Sequence, residues 1–336
     1  MAHPSILVTG GAGFIGRHIV RQLAEAGDHV RVLDPACKRA AWPETVEPVA
    51  ASILDPDRLA KAMDGVETVY HLAGVPRLWA EDPRVFERVN VTGTRTVLAA
   101  CAKARVARVV VTSSAVVLAG RGTSWSGTPI TEEAPRPPLD AMIGDYARSK
   151  CAAEREARMA AAEGLPVVLT YPTIPLGRGD AAETPPTRML MELLAGRVPA
   201  FLQCRINICG VADLARGHIL AARHGATGDG YILGGENLWM SDFLAHLEAV
   251  SGRPMPRRSL PYPLALAVAK AQEWWSNTVT QHAPRVPVAA VKLAGLPLWF
   301  DTGKAERDLG WTPSPLHDAI AEAVHWLRET GRAPRI

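Results

Sequence analysis

The stretch S-I-L-V-T-G-G-A-G-F-I-G-R-H-I-V-R-Q-L-A-E-A-G, residues 5–27, decides the fold. It opens with an apolar run short enough for a buried strand. Gly10, Gly13 and Gly16 then crowd a turn, and Ile15, Ile19, Leu23 and Ala26 recur at helical spacing. In such a strand, turn and helix, small residues let the backbone and the helix N-terminus approach a pyrophosphate. Gly10, Gly13, Phe14, Ile15 and Gly16 are therefore candidate dinucleotide contacts. An isolated glycine pattern would fit a plain tight turn equally well; the flanking strand and helix tip the reading.

Working outward, HVRVLD (29–34) reads as a second strand and ends on Asp34, 18 residues beyond Gly16. A carboxylate there can accept hydrogen bonds from the adenosine ribose and repel a 2′-phosphate, which favours NAD over NADP. Lys38 and Arg39 follow closely and could soften that preference. Residues 55–65 read as a capped helix and 66–74 as a third strand. A helix from about 83 to 104, the strand ARVVVTSS (107–114), a helix over 146–163 and the strand LPVVLTYP (165–172) continue the alternation. The pattern predicts an α/β fold: a Rossmann-type doubly wound parallel sheet. After Pro172 the pattern loosens through Pro175, Pro185 and Pro186, as expected of a smaller C-terminal substrate lobe. The division is an NAD-binding domain over 1–175 and a mainly substrate-binding lobe over 176–336, with 206–224 returning to the Rossmann core.

YARSK places Tyr146 and Lys150 one helical turn apart, on one face. A lone pair of this kind is usually an amphipathic surface feature. Its chemical reading is that Lys150, with a positive nicotinamide nearby, lowers the Tyr146 phenol from about 10 toward working pH. The phenol could then pass a proton to or from a substrate oxygen. TSSA (112–115) closes the fourth strand at its carboxyl end, where ligands sit in such sheets, bringing Thr112 and Ser114 to the same place. Ser114 could hydrogen-bond that oxygen.

TGGAGFIG, HLAG, NVTGT, VVVTSSA, YARSK and YPTIPLGRGD, in this order over nearly the full chain, resemble an extended short-chain dehydrogenase/reductase. RLWAEDP, MIGDYARSK, DLARGH, YILGGEN and KAERDLGW look most like the hopanoid-associated sugar epimerase group; dihydroflavonol 4-reductases and 3β-hydroxysteroid dehydrogenases look slightly more distant. The resemblance implies Ser114, Tyr146 and Lys150 as catalytic triad, with Asn90 supporting Lys150 through a water. It also implies Leu72, Ala73 and Gly74 at the adenosine half of NAD, Pro172, Thr173 and Ile174 at the nicotinamide, and a homodimer. The chain departs from the pattern at Ala51, Ser52 and Ile53, which replace the usual Gly-Asp-Leu at the adenine; Ser52 and Ile53 inherit that position. Gly210 replaces a usual His and Tyr171 a usual Arg, and both changes argue against a nucleotide-sugar substrate. Ala115 and Val116 stand where sugar dehydratases carry Asp-Glu, which argues against dehydration.

Composition narrows the rest. With 48% hydrophobic and 21% charged residues the chain is an ordinary globular protein, and 37 Lys plus Arg against 34 Asp plus Glu leave too little positive charge for nucleic acid. Five cysteines without CxxC or zinc spacing read as buried free thiols, and no metal is expected. No signal peptide is apparent, which places the protein in the cytoplasm. No apolar run nears the roughly 20 residues of a membrane span, leaving only peripheral membrane contact open. His71 reads as a core histidine; Arg253, Arg257 and Arg258 read as solvated. Trp274 and Trp275 read by default as lobe core, and with Trp79 and Trp239 they could wall an apolar pocket. The expected function is NAD-dependent hydride transfer to or from a secondary alcohol or ketone of a bulky, largely apolar small molecule. Epimerisation of a sugar by the same groups is the alternative, and a dinucleotide-sensing protein without catalysis is the third.

Overall fold

Runs of β-branched residues, each flanked by turn formers, supply the strands. In the computed structural model, which describes residues 5–280 and 282–334, β1 (Ile6–Thr9) leads through the glycine turn into α1 (Phe14–Glu25) and back to β2 (Val30–Leu33). Then come β3 (Val46–Val49), α2 (Pro56–Ala62), β4 (Thr68–His71), α3 (Gly93–Ala104), β5 (Arg108–Thr112), α4 (Gly144–Ala162) and β6 (Val167–Pro172). A π-helical turn, Phe86–Thr92, runs into α3. The second part holds β7 (Ile174–Leu176), α5 (Pro185–Leu194), β8 (Phe201–Leu202), β9 (Arg205–Gly210), α6 (Val211–His224), β10 (Gly230–Leu233), β11 (Glu236–Trp239) and α7 (Met240–Ser251). It closes with β12 (Ser259–Leu260), α8 (Tyr262–Trp275), α9 (Val288–Ala294), α10 (Gly303–Leu309) and α11 (Leu316–Glu329).

Seven parallel strands form the main sheet in the order β10-β6-β5-β4-β1-β2-β3, so the chain winds outward from β1 in both directions. Strand alternation splits the core between the two faces. Val109 and Val111 join the cluster under α2, α3 and α4, whereas Val110 joins Ile19, Val20 and Leu23 of α1 and Ala215 of α6. Two of the sheet's strands are absent from the sequence reading. β3 carries Pro48, which an edge strand tolerates, and β10 is only four residues long. Glu132 accepts the Ile232 amide of edge strand β10 at 2.6 Å, blunting the open side.

The return to the main sheet also differs from expectation. Residues 206–210 lie in the small sheet β11-β9-β7, and only α6 packs on α1. β10, α10 and Trp311 return as well, the Trp311 indole donating to the Asp213 carbonyl at 2.9 Å. A separate apolar cluster joins α5, β9, α7 and α11 in the second lobe. Four cysteines are buried and Cys151 is half-buried; all five are free thiols.

Two histidines are sealed in the sheet's faces. His71 takes the Thr9 hydroxyl at Nδ1 (2.8 Å) and Thr94 Oγ1 at Nε2 (2.9 Å). His218 donates from Nδ1 to the Leu214 carbonyl (2.6 Å), while Nε2 faces the Thr170 and Thr112 hydroxyls at 2.9 and 3.1 Å. Loss of hydration, helped by the Lys150 charge, pushes their pKa values from 6.5 down to about 3 and about 4. Below pH 6.5 the unfolded chain therefore binds protons that the folded one refuses, and stability falls with pH until about 4. Urea midpoints measured between pH 7 and 4 should fall accordingly, and His218→Gln should show a flatter decline than the parent.

Candidate active site

The glycine turn is shaped by contact. Gly10 has φ +71°, and a Cβ on it would lie 2.5 Å from the Ala73 amide nitrogen; a Cβ on Gly16 would run into the Gly10 carbonyl. The turn thus holds β1, β4 and α1 at backbone-to-backbone distance. α1 starts at Gly13 without a side-chain cap, so the Phe14 and Ile15 amides face outward at the positive helix end. The Phe14 side chain is buried beside His18, leaving its backbone as its contribution. Asp34 is half-buried at the end of β2 and accepts from the Ala12 amide at 3.2 Å and the Ala36 amide at 2.7 Å. It braces the turn and still carries free lone pairs for a ribose.

The remaining adenosine-side residues divide. Leu72 and Ala73 follow β4 beside the turn, Leu72 donating its amide to the Thr9 carbonyl, and Gly74 is exposed. The Ile53 side chain is 4% exposed and packs on Gly93, leaving its backbone as its contribution. The Ser52 hydroxyl accepts the Leu54 amide at 3.1 Å in a local turn.

At the carboxyl end of β5 the catalytic candidates meet. Ser114 caps a short 3-10 turn in extended conformation, its hydroxyl accepting from the Val116 amide at 3.4 Å, and the same hydroxyl is the polar group that opposes the rise of the buried Tyr146 phenol. Lys150, one turn further along α4, donates from Nζ to the Thr112 carbonyl at 2.5 Å. Lost hydration lowers the Lys150 pKa from 10.5 to about 8, with Glu154 opposing. The expected lowering of Tyr146 by Lys150 is not found. Burial pushes the phenol up, and the Ser114 hydroxyl opposes it. Asn90 is buried beside α4: its Nδ2 donates to Ser149, the residue before Lys150, at 2.9 Å and its Oδ1 accepts the Val75 amide at 2.7 Å, tying the loop after β4 to α4.

Pro172 and Thr173 lie at the end of β6 and Ile174 begins β7. The Thr173 hydroxyl is buried without a hydrogen-bond partner. An orphaned hydroxyl at the expected nicotinamide position, a glycine turn with no room for a Cβ and an uncapped helix end together fit a dinucleotide.

Other side chains overturn sequence readings. Tyr171 faces α4 rather than a substrate: its phenol donates to Glu154 at 2.9 Å and accepts from Arg158 and Arg136. Glu154 also accepts from Ser113 at 2.8 Å, so the cluster braces α4, and Tyr171 carries no information about nucleotide sugars. Arg253 is not merely solvated; it caps α5 through the Leu194 carbonyl at 2.6 Å. The four tryptophans share no wall. Trp79 donates to Asn277 at 3.1 Å, and Trp239 joins Trp125 and Trp299 around the Arg205 guanidinium. Trp274 and Trp275 are 64% and 53% exposed, which removes them from the core. The Arg205 cage went unseen because its three tryptophans come from distant segments.

Fold and site define a dinucleotide-dependent enzyme of the Rossmann class. The chain belongs to the NAD dependent epimerase/dehydratase family, which residues 6–234 match. A Synechocystis protein with the provisional name dihydroflavonol 4-reductase is 35% identical over 96% of this chain and 94% of its own. Sterol demethylase protein B of Methylococcus capsulatus is 28% identical over 97% and 98%. The crystal structure of gox2253 superimposes with a TM-score of 0.86 at 33% identity, covering 99% of this chain and all of that one. Other relatives bear the names of steroid dehydrogenases and of a UDP-glucose 4-epimerase. The enzyme is thus NAD-dependent.

Two measurements probe the cofactor side. Asp34→Ala should weaken NAD binding and narrow its advantage over NADP, read as the two dissociation constants; an unchanged ratio would remove Asp34 from the ribose. NAD affinity of the wild type should also decline as pH rises through about 8, where Lys150 loses its proton. Lys150→Arg, charged throughout, should lack that limb.

Proposed function

We propose that the enzyme is an NAD-dependent oxidoreductase acting on a secondary alcohol or ketone of a bulky, largely apolar molecule. The observation that carries the chemistry is the convergence of Ser114, just beyond β5, with the Tyr146 phenol whose ionisation it favours and with Lys150, one helical turn along α4 and bonded to the Thr112 carbonyl at the end of the same strand. When bound, NAD supplies the hydride acceptor or donor. Gly10, Gly13, Gly16, the Phe14 and Ile15 amides and Asp34 hold its pyrophosphate and adenosine, and Pro172, Thr173 and Ile174 border its nicotinamide. Tyr146 exchanges a proton with the substrate oxygen, and Ser114 donates a hydrogen bond to the same atom. Because burial raises the phenol, its ionised form depends on positive charge brought close, which the nicotinamide of bound NAD would add.

The substrate class rests on relatives named for sterol, steroid and dihydroflavonol chemistry. The rival, sugar epimerisation, draws on the relative named UDP-glucose 4-epimerase and would use the same groups.

Tyr146→Phe should lower kcat by roughly 10²–10⁴-fold with NAD affinity retained; near-normal turnover would sink the assignment. Several terpenoid, steroid or aromatic alcohols and ketones should give NAD-coupled absorbance changes, because an apolar pocket separates similar shapes by only roughly 1–3 kcal/mol. NAD-neutral interconversion of a UDP-sugar alone would promote the epimerase.

A further inference from the structure

Helix α8 is built inside out. Its buried positions, Ala265, Ala269 and Ser276 just beyond its end, are small and face Val288 and Val291 of α9. Half-buried Leu266 packs there as well, but the other large apolar residues point the other way. Leu264, Val268, Ala271, Trp275 and Val279 follow at steps of three and four residues and are all exposed. Exposure runs from 44% at Val268 to 64% at the adjoining Trp274. An ordinary surface helix buries its large apolar stripe and exposes its polar one. A contiguous exposed stripe of this kind marks an interaction surface.

Charge selects the partner. Residues 252–296 contain six basic side chains against one acid, Glu273; Arg253 is spent on the Leu194 carbonyl and Arg257 on Glu248 at 2.6 Å, which leaves Arg258, Lys270, Arg285 and Lys292 to set the charge of this region. Glu273 is occupied with the Val288 amide at 2.7 Å. Two copies meeting through this face would oppose like charges. Anionic lipid headgroups would instead complement them, with tryptophans at the interface and Leu264 and Val268 entering the acyl boundary. We propose that α8, the π-helical turn Ser276–Thr280 and α9 form a surface that docks on an anionic phospholipid bilayer.

The same turn borders a cavity of about 460 Å³. Ser276, Asn277 and Lys292 line it together with Trp79, Gly144 and Asp145, the last immediately before Tyr146 in α4. A docked enzyme could therefore draw an apolar substrate from the bilayer along this cleft. That passage rests on the substrate class proposed above; the docking does not.

The full chain, loaded with NAD, would be sedimented with vesicles of phosphatidylcholine plus phosphatidylglycerol and with vesicles of phosphatidylcholine alone. Partition should favour the anionic vesicles and weaken with salt. It should fall roughly tenfold or more in Trp274→Ser/Trp275→Ser and in Arg258→Glu/Lys270→Glu, with NAD binding unchanged as the check on folding. Failure of the wild type to partition overturns the docking. So does a tryptophan variant that changes oligomeric mass while partition stays absent, which would identify a second copy as the partner. Absent partition with apolar ketones still turned over removes the docking alone. Partition without turnover of any apolar ketone removes the proposed substrate class and leaves the docking in place.

Discussion

A cation withdrawn from water at the carboxyl end of the sheet organises its surroundings. Lys150 satisfies one proton on the Thr112 carbonyl, yet its pKa still drops to about 8, so that single contact does not replace full hydration. The groups around it are arranged to live with the charge. His218 and His71 stay neutral beside it, their rings turned so that buried threonine hydroxyls satisfy them. Glu154 supplies the balancing carboxylate one turn along α4 and is itself held by Ser113, Arg158 and Tyr171. A buried carboxylate with these three partners and Arg136 at 3.8 Å cannot shift without stranding them, so α4 is fixed against β5 and β6 where the phenol must be aimed.

A second polar chain fixes the opposite side. The Thr94 hydroxyl donates to the Asn90 carbonyl, which leaves His71 Nε2 to donate to Thr94 and Nδ1 to accept from Thr9. The Asn90 side chain then spans from the Val75 amide to Ser149, whose hydroxyl ends on the Tyr146 carbonyl. Each donor in the chain meets an acceptor. The path connects the residue preceding Gly10 with the helix bearing Tyr146, so the cofactor turn and the proton carrier share one rigid frame.

What was legible in the sequence was local. The glycine turn is a backbone constraint with a fixed spacing, and Tyr146 and Lys150 are one helical turn apart; both survive translation into three dimensions. What was illegible depended on which neighbour a side chain meets. Tyr171 looked like a lost substrate contact because only the strand's alternation and the position of Glu154 reveal that it faces α4. That the Ile53 side chain fills the gap left by Gly93 shows only in three dimensions. β3 and β10 escaped notice because an edge strand of four residues has too little pattern to separate it from a loop.

The α8 region shows the same limit from the other direction. Leu264 to Ala269 and the two tryptophans read as core because a helix apolar on every side normally has protein on every side. That inference assumes that enough chain exists to surround it. Here α9 covers one face, meeting Ala265, Ala269 and half-buried Leu266, and α5, α7 and α11 are committed to a different cluster. The large side chains are left outward by that arithmetic of neighbours, at the edge of the cleft leading toward Tyr146. Their exposure costs hydrophobic free energy in water, roughly 25 cal/mol per Å² of apolar surface that burial would remove, so a surface of this composition is stabilised by whatever apolar phase can cover it. The basic residues around it narrow that phase to one with negative charge at its boundary.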